Sequence, residues 1–295
     1  MLVSEILDQV KTSFSFEFFP PKTEKGFENL FKNISELNQL EPSYVSVTYG
    51  AGGTTRGRTH NLVKRLTKES DITVVSHLTC VGSSKDEMYN ILKSYDEIGI
   101  NNILALRGDA PDDEPEWKPH PDGFEHACDL VEFIKTHFPN MCVGVAGFPE
   151  GHPDTPNRIL EMEYLKKKTD AGADYIVTQL FFDNRDFYDF CDRCTFHGID
   201  IPVIAGIMPV LSKSGMRKMA ELAAGARFPA PLLRAVDMAD DDEGVKNVGI
   251  HWATEQVRDL INNNVRGIHF YTLNKSPATL KIYQALGVAN SKSLC

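Results

Sequence analysis

Phe14-Ser15-Phe16-Glu17-Phe18-Phe19-Pro20-Pro21 is the first strand-like run of the chain, and the fold is read outward from it. Aromatic side chains suit a pleated, half-buried surface, and the two prolines stop the run. Glu17 stands inside it. A carboxylate at the end of a buried strand loses hydration, which is expected to raise its pKa toward the range where a carboxylic acid delivers a proton near neutrality. The alternative is a structural carboxylate paired with Lys or Arg, because buried carboxylates are seldom left alone.

Seven more β-branched or aromatic runs follow, at 44–48, 72–79, 103–106, 142–146, 175–179, 203–207 and 268–271. Between them lie stretches of helical period, among them 27–37, 62–67, 87–98, 128–138, 159–169 and 187–197. Strand and helix alternate eight times with no Pro/Gly/Ser-rich linker. This predicts one α/β domain over residues 1–295, a single (β/α)8 TIM barrel. Gly99, Gly172 and Gly198 each follow a helical stretch and suit left-handed C-terminal caps. The long interval 208–267 is expected to hold extra helices between strands 7 and 8. One of them starts at Asp240-Asp241-Asp242-Glu243, an acidic run favoured by the helix dipole.

The apolar stretches of the 295 residues fall short of the roughly 20 needed to span a bilayer. Residues 1–11 carry Glu5 and Asp8 among apolar positions and read as a short surface helix, not a signal peptide. A cytoplasmic protein without a membrane partner is expected. A net charge of -10 argues against nucleic acid, which requires a basic face. Six cysteines without a secretion signal point to reduced thiols, and Cys191-x-x-Cys194 sits within a helical pattern with no second pair.

In such a barrel the chemistry gathers at the C-terminal strand ends. Those positions read Glu17, Thr48 and Tyr49, His77, Arg107-Gly108-Asp109, residues 148–152, Gln179 and Tyr271. Gly52-Gly53-Thr54-Thr55-Arg56-Gly57-Arg58-Thr59 approaches a phosphate loop, but Arg58 stands where a compact Lys ammonium is needed, so the glycines read as a turn beside a ligand. No G-x-G-x-x-G is present, and no pair of histidines has metal-ligand spacing. Lys166-Lys167-Lys168 is either a solvated face or a cationic clamp for pyrophosphate.

Taken together, Phe16-Glu17-Phe18-Phe19-Pro20-Pro21, Val45-Ser46-Val47-Thr48-Tyr49-Gly50-Ala51, His77-Leu78-Thr79-Cys80, Leu106-Arg107-Gly108-Asp109, Phe148-Pro149-Glu150-Gly151-His152-Pro153, Thr178-Gln179-Leu180-Phe181-Phe182-Asp183 and His269-Phe270-Tyr271-Thr272-Leu273-Asn274 carry a resemblance. The chain resembles methylenetetrahydrofolate reductase of the bacterial type over nearly its whole length, a family of (β/α)8 flavoproteins of one-carbon metabolism and methionine biosynthesis. The resemblance implies a ping-pong reaction in which NADH or NADPH reduces bound FAD and 5,10-methylenetetrahydrofolate is then reduced to 5-methyltetrahydrofolate. Glu17 matches the general acid for folate N10, and Asp109 a carboxylate near flavin and pterin. For FAD the matching positions are Thr48, Tyr49, Ala51, His77, Arg107, Gly108, Asp109, Ala127, Phe148, His152, Lys167 and Lys168, with Glu161 and Tyr164 sharing a helix face with Lys168. Glu17, Asp109, Gln179 and Lys275 match substrate contacts.

Lys213 and Gly215 follow Gly206-Ile207-Met208-Pro209 where many members carry an aromatic residue, Lys275 replaces Arg, and Phe148 replaces Tyr. These departures bear on the folate tail and the nicotinamide donor. A homo-oligomer is expected from the resemblance, as is the absence of a regulatory domain and of inhibition by S-adenosylmethionine. The alternative is a pterin-binding methyltransferase barrel without flavin.

Overall fold

The structure is a computed structural model and describes residues 1–49, 56–109, 120–223 and 226–294. Parallel strands β1 Ser13–Phe18, β2 Tyr44–Val47, β3 Val74–Thr79, β4 Asn102–Leu106, β5 Cys142–Gly147, β6 Tyr175–Thr178, β7 Val203–Ile207 and β8 Gly267–Tyr271 pair in chain order, and β8 closes on β1. Helices α1 Val3–Gln9, α2 Glu24–Asn38, α3 Arg56–Glu69, α4 Lys85–Asp96, α5 Ala127–His137, α6 Arg158–Asp170, α7 Asn184–Phe196, α8 Lys213–Leu222, α9 Ala230–Asp237, α10 Asp242–Asn262 and α11 Pro277–Leu286 accompany them. The (β/α)8 barrel expected from alternation is therefore present, and α8, α9 and α10 occupy the interval between β7 and β8.

β1 shows why the sequence folds this way. Side chains alternate across a strand, so Phe14, Phe16 and Phe18 form one set, all buried. Phe14 and Phe16 pack on Tyr283 of α11, and Phe16 also meets Phe270 of β8, in the layer between barrel and helices. Burying each such ring contributes about 2–3 kcal/mol. The other set, Ser13, Ser15 and Glu17, consequently faces the lumen. The same alternation puts Ser46, His77, His269 and Tyr271 inside the barrel.

Helix ends obey the expected chemistry. Gly99, Gly172 and Gly198 take positive φ values of 79°, 109° and 66°. The acidic run is the start of α10, where the Asp241 carboxylate accepts from the Gly244 N–H.

The N-terminal segment departs from its expected surface position. Val3, Ile6 and Leu7 of α1 are buried and cluster with Tyr44, Val75, Leu104, Cys142, Tyr175, Val177 and Ile204 from inside the barrel. The Val3 N–H donates to Asn102 Oδ1 at 2.8 Å, Asn102 Nδ2 donates to the Met1 carbonyl, and the Arg266 guanidinium donates to the Leu7 carbonyl. α1 is thus the floor of the barrel. Its apolar spacing marks a buried face, but what that face covers is a tertiary fact.

Among the described residues no helix is long and apolar enough to cross a membrane. Cys191 and Cys194 are free thiols on α7, each pushed up to about 12 by burial, which leaves them unreactive at neutral pH.

Candidate active site

In the upper lumen Glu17 keeps 19% of its side chain exposed, and its Oε2 lies 3.6 Å from both His77 Nε2 and His269 Nε2. Both separations are longer than hydrogen bonds. Neither a Lys nor an Arg pairs with Glu17 among the described residues, so the structural ion-pair reading has no partner there. His77 lies within β3, two residues before its end, rather than at the strand tip. Burial pushes its imidazole down to about 4 against the pull of Glu17, so it is neutral at physiological pH.

The strand that carries Glu17 is pinned from β8. Thr272 Oγ1 donates to the Glu17 carbonyl at 2.6 Å, and the Asn274 amide both accepts from the Phe19 N–H and donates to the Phe19 carbonyl. Leu273 and Asn274 hold left-handed φ angles of 51° and 58°, a strained pair of the sort that persists where surroundings over-determine it. Tyr271 donates its hydroxyl to the Thr178 carbonyl at 2.6 Å. Gly206 makes this possible, because a Cβ there would lie 2.7 Å from the Tyr271 ring.

A second group of site residues stands on the rim over β4, β5 and α6. Arg107 reaches Asp154 at 3.1 Å, and both are substantially exposed. Gly108 has φ 80°, and a Cβ would fall 2.6 Å from Val81 and 2.9 Å from Thr79, so only glycine fits this approach. His152 packs edge-on against Phe148 at 4.7 Å. Burial lowers its pKa, and the Arg107 and Lys168 cations push the same way against Asp154 and Asp109. Arg107, Asp109, His152, Asp154 and Lys168 therefore share one electrostatic neighbourhood. Asp109 is exposed there, and Ala127 opens α5.

The lysine run divides three ways. Lys166 pairs with Asp170, Lys167 is exposed over the Tyr164 ring at 5.3 Å, and Lys168 turns inward to donate to the Ala146 carbonyl at 2.6 Å. Burial pushes the Lys168 ammonium down to about 8, opposed by Glu161. The shared face expected for Glu161, Tyr164 and Lys168 is split. Glu161 is buried and accepts from the His152 N–H at 3.1 Å, whereas Tyr164 is exposed and belongs with Lys167. At 100° per residue the three positions are neighbours, but Tyr164 sits on the edge that solvent reaches.

Gln179 directly follows β6, its amide oxygen accepting from the Leu180 N–H, in a crevice with Phe148, Glu150, Gly151 and Ala226. Thr48 and Tyr49 follow β2, and the Thr48 carbonyl accepts from Thr59 on α3. Ala51 and the turn glycines Gly52 and Gly53 lie outside the described residues. Lys275 is exposed beyond β8, and Lys213 is the exposed first residue of α8, with Ser212 capping Gly215. Among the described residues no three His, Cys, Asp or Glu side chains gather as metal ligands. His269, which meets Glu17 in the lumen, Ser15 and Ser46, which meet His269, and Asp154 on the rim were not singled out by sequence reasoning. The available signal was the alternation of polar residues in β1 and β8.

A closed parallel barrel with a carboxylate, imidazoles, an amide and cations converging at its C-terminal end defines a (β/α)8 enzyme site. Comparison with known proteins narrows the class. The methylenetetrahydrofolate reductase family profile matches residues 2–287, and the chain belongs to that family. It is 37% identical to 5,10-methylenetetrahydrofolate reductase of Escherichia coli, over 97% of this chain and 94% of that one. It is also 37% identical to methylenetetrahydrofolate reductase (NADH) 1 of Arabidopsis thaliana and 38% identical to methylenetetrahydrofolate reductase 1 of Schizosaccharomyces pombe. The alignments cover 99% and 94% of this chain but 51% and 46% of those proteins, so the chain spans about half their length. Among solved structures, an uncharacterized protein from Clostridium thermocellum that binds two copies of 5-methyl-5,6,7,8-tetrahydrofolic acid superposes with TM-score 0.70. Identity is 16%, with 96% of this chain and 98% of that one covered, which establishes likeness of fold.

Proposed function

We propose that this chain is a single catalytic domain that reduces 5,10-methylenetetrahydrofolate to 5-methyltetrahydrofolate with FAD as cofactor and NADH or NADPH as donor. The observation that carries the reading is Glu17, a lumen carboxylate with two imidazoles on one oxygen, in a chain of this family. A flavin fits the residues present. His77 Nε2 and Thr79 Oγ1 are buried without a hydrogen-bond partner among the described residues, Gly108 offers close backbone approach, and Arg107, Lys167 and Lys168 supply cations for a pyrophosphate. Thr48, Tyr49, Ala127, Phe148 and His152 would complete the binding surface, while Glu161 acts by holding the His152 backbone. When bound, FAD supplies the two-electron relay between nicotinamide and folate, each using the site in turn.

The chain's own residues do the acid chemistry. Glu17 gives its proton to folate N10, the N10–CH2 bond breaks, and the one-carbon unit becomes an electrophilic iminium on N5 ready to accept hydride. Asp109 supplies the fixed negative charge that stabilises that cation. Gln179 both donates to and accepts from the pterin, and Lys275 provides a cation at the mouth for the folate carboxylates. The Glu17 carboxylate regains its proton from water before the next turnover.

The test is anaerobic stopped-flow mixing of the FAD-loaded protein with NADH and with NADPH, followed by the folate. Flavin bleaching by one donor and recovery on folate addition, with 5-methyltetrahydrofolate formed, is expected. A colourless protein that takes up no FAD would overturn the reading and favour a folate-binding methyltransferase barrel.

A further inference from the structure

We propose that His269 is a positioning residue for Glu17, locked by Ser15 so that its Nε2 edge holds Oε2 and leaves Oε1 to present the proton. This rests on the reading of Glu17 as the acid. His269 is 1% exposed, and its Nδ1 lies 2.7 Å from Ser15 Oγ. Its Nε2 lies 3.4 Å from Ser46 Oγ and 3.6 Å from Glu17 Oε2. The Tyr44 ring stacks on it at 6.4 Å and 17°, and Tyr271 meets it edge-on at 5.2 Å and 89°. Strand register sets these neighbours: Ser15 pairs with His269 and Glu17 with Tyr271 across β1–β8, and Glu17 pairs with Ser46 across β1–β2.

Ser15 has one hydroxyl proton. Donated to Nδ1, it selects the tautomer that carries N–H on Nε2, the nitrogen turned to Glu17. An N–H facing Oε2 at 3.6 Å does two things. It orients the carboxyl before transfer, and it faces the negative charge that forms there once the proton has gone. His77 approaches the same oxygen from β3, so the two rings bracket Oε2.

The ionisable groups around this point are Glu17 on β1, Tyr44 on β2, His77 on β3, and His269 and Tyr271 on β8. Burial holds His77 neutral and pushes both tyrosine hydroxyls far up. His77, Tyr44 and Tyr271 therefore each keep one protonation state around neutrality.

The experiment measures both half-reactions of the FAD-loaded enzyme across pH for His269→Leu, His269→Gln and Ser15→Ala, with Glu17→Gln alongside. Reduction by the nicotinamide donor should be retained in the His269 and Ser15 variants. In His269→Leu the folate step should slow by on the order of 10²-fold, the cost of a misplaced catalytic group, and its pH inflection should move. His269→Gln, whose amide N–H can reach the Nε2 position, should recover much of the rate, and Ser15→Ala should shift the inflection in the same direction. If His269→Leu lowers both half-reactions equally, or fails to fold while Ser15→Ala leaves the pH profile in place, the positioning role is overturned. Normal folate reduction by Glu17→Gln would instead overturn the reading of the acid beneath it.

Discussion

The two ends of the barrel are built from the same strands and differ in what fills them. At the lower end α1 seals the lumen with Val3, Ile6 and Leu7 over Tyr44, Val75 and Ile204, and its polar backbone groups are satisfied by Asn102 and Arg266. At the upper end the inward positions of those strands are Glu17, Ser46, His77, Gly206 and His269, with His77 Nε2 buried and without a hydrogen-bond partner among the described residues. One end is closed by an apolar helix, the other is lined by polar and ionisable side chains. The division of labour in a barrel can thus be read along a single strand, from Ser13 at the floor to Glu17 at the mouth.

Substitutions at the two ends should separate stability from activity. Glu17→Gln should slow the folate half-reaction by about 10²–10⁴-fold, the usual worth of a general acid, while the donor half-reaction continues and thermal unfolding stays within a few degrees of the parent. Equal loss in both half-reactions would break the assignment. At the floor, Leu7→Ala should cost about 2–5 kcal/mol in urea unfolding. Turnover per folded molecule should hold, and a fall in turnover without loss of stability would mean that the floor takes part in the chemistry.

His77 sharpens the comparison through pH. The unfolded chain takes a proton at this residue as pH falls through 6.5, and the folded chain resists until about 4, so stability is full above 6.5 and declines between those values. The decline is up to about 3 kcal/mol, and His77→Leu should flatten it in unfolding curves measured from neutral pH to about pH 4. An unchanged acid slope would mean that other groups carry it. The smallest structural effect belongs to the rim. Arg107→Ala breaks an exposed pair with Asp154 and should change stability by less than about 1 kcal/mol while weakening FAD binding, measured by flavin fluorescence titration. Unaltered FAD affinity would remove Arg107 from the cofactor site.

Much of this was legible in the sequence because barrel strands are short, apolar and separated by helices of clear period. The eight runs matched the eight strands to within two residues at each end, and the acidic run at Asp240 to Glu243 capped α10 as dipole chemistry requires. The family motifs brought Glu17 and His77 together and set Arg107, Asp109, His152 and Lys168 around one another. Two things stayed hidden. The partner of α1 depends on closure of the whole sheet, and His269 acquires meaning only once register places it opposite Ser15. Tyr164 shows the limit of helical spacing, which identifies neighbours but not which of them solvent reaches.

The central claim is that the Glu17 carboxyl faces the folate N10 across the upper lumen. A crystal structure of the FAD-loaded protein with 5-methyltetrahydrofolate tests it directly. The expected result is Glu17 Oε1 within about 2.6–3.2 Å of N10, directly or through one water, with Oε2 still between His77 and His269. A folate bound with N10 remote from Glu17, or Glu17 turned away from the lumen, would contradict it.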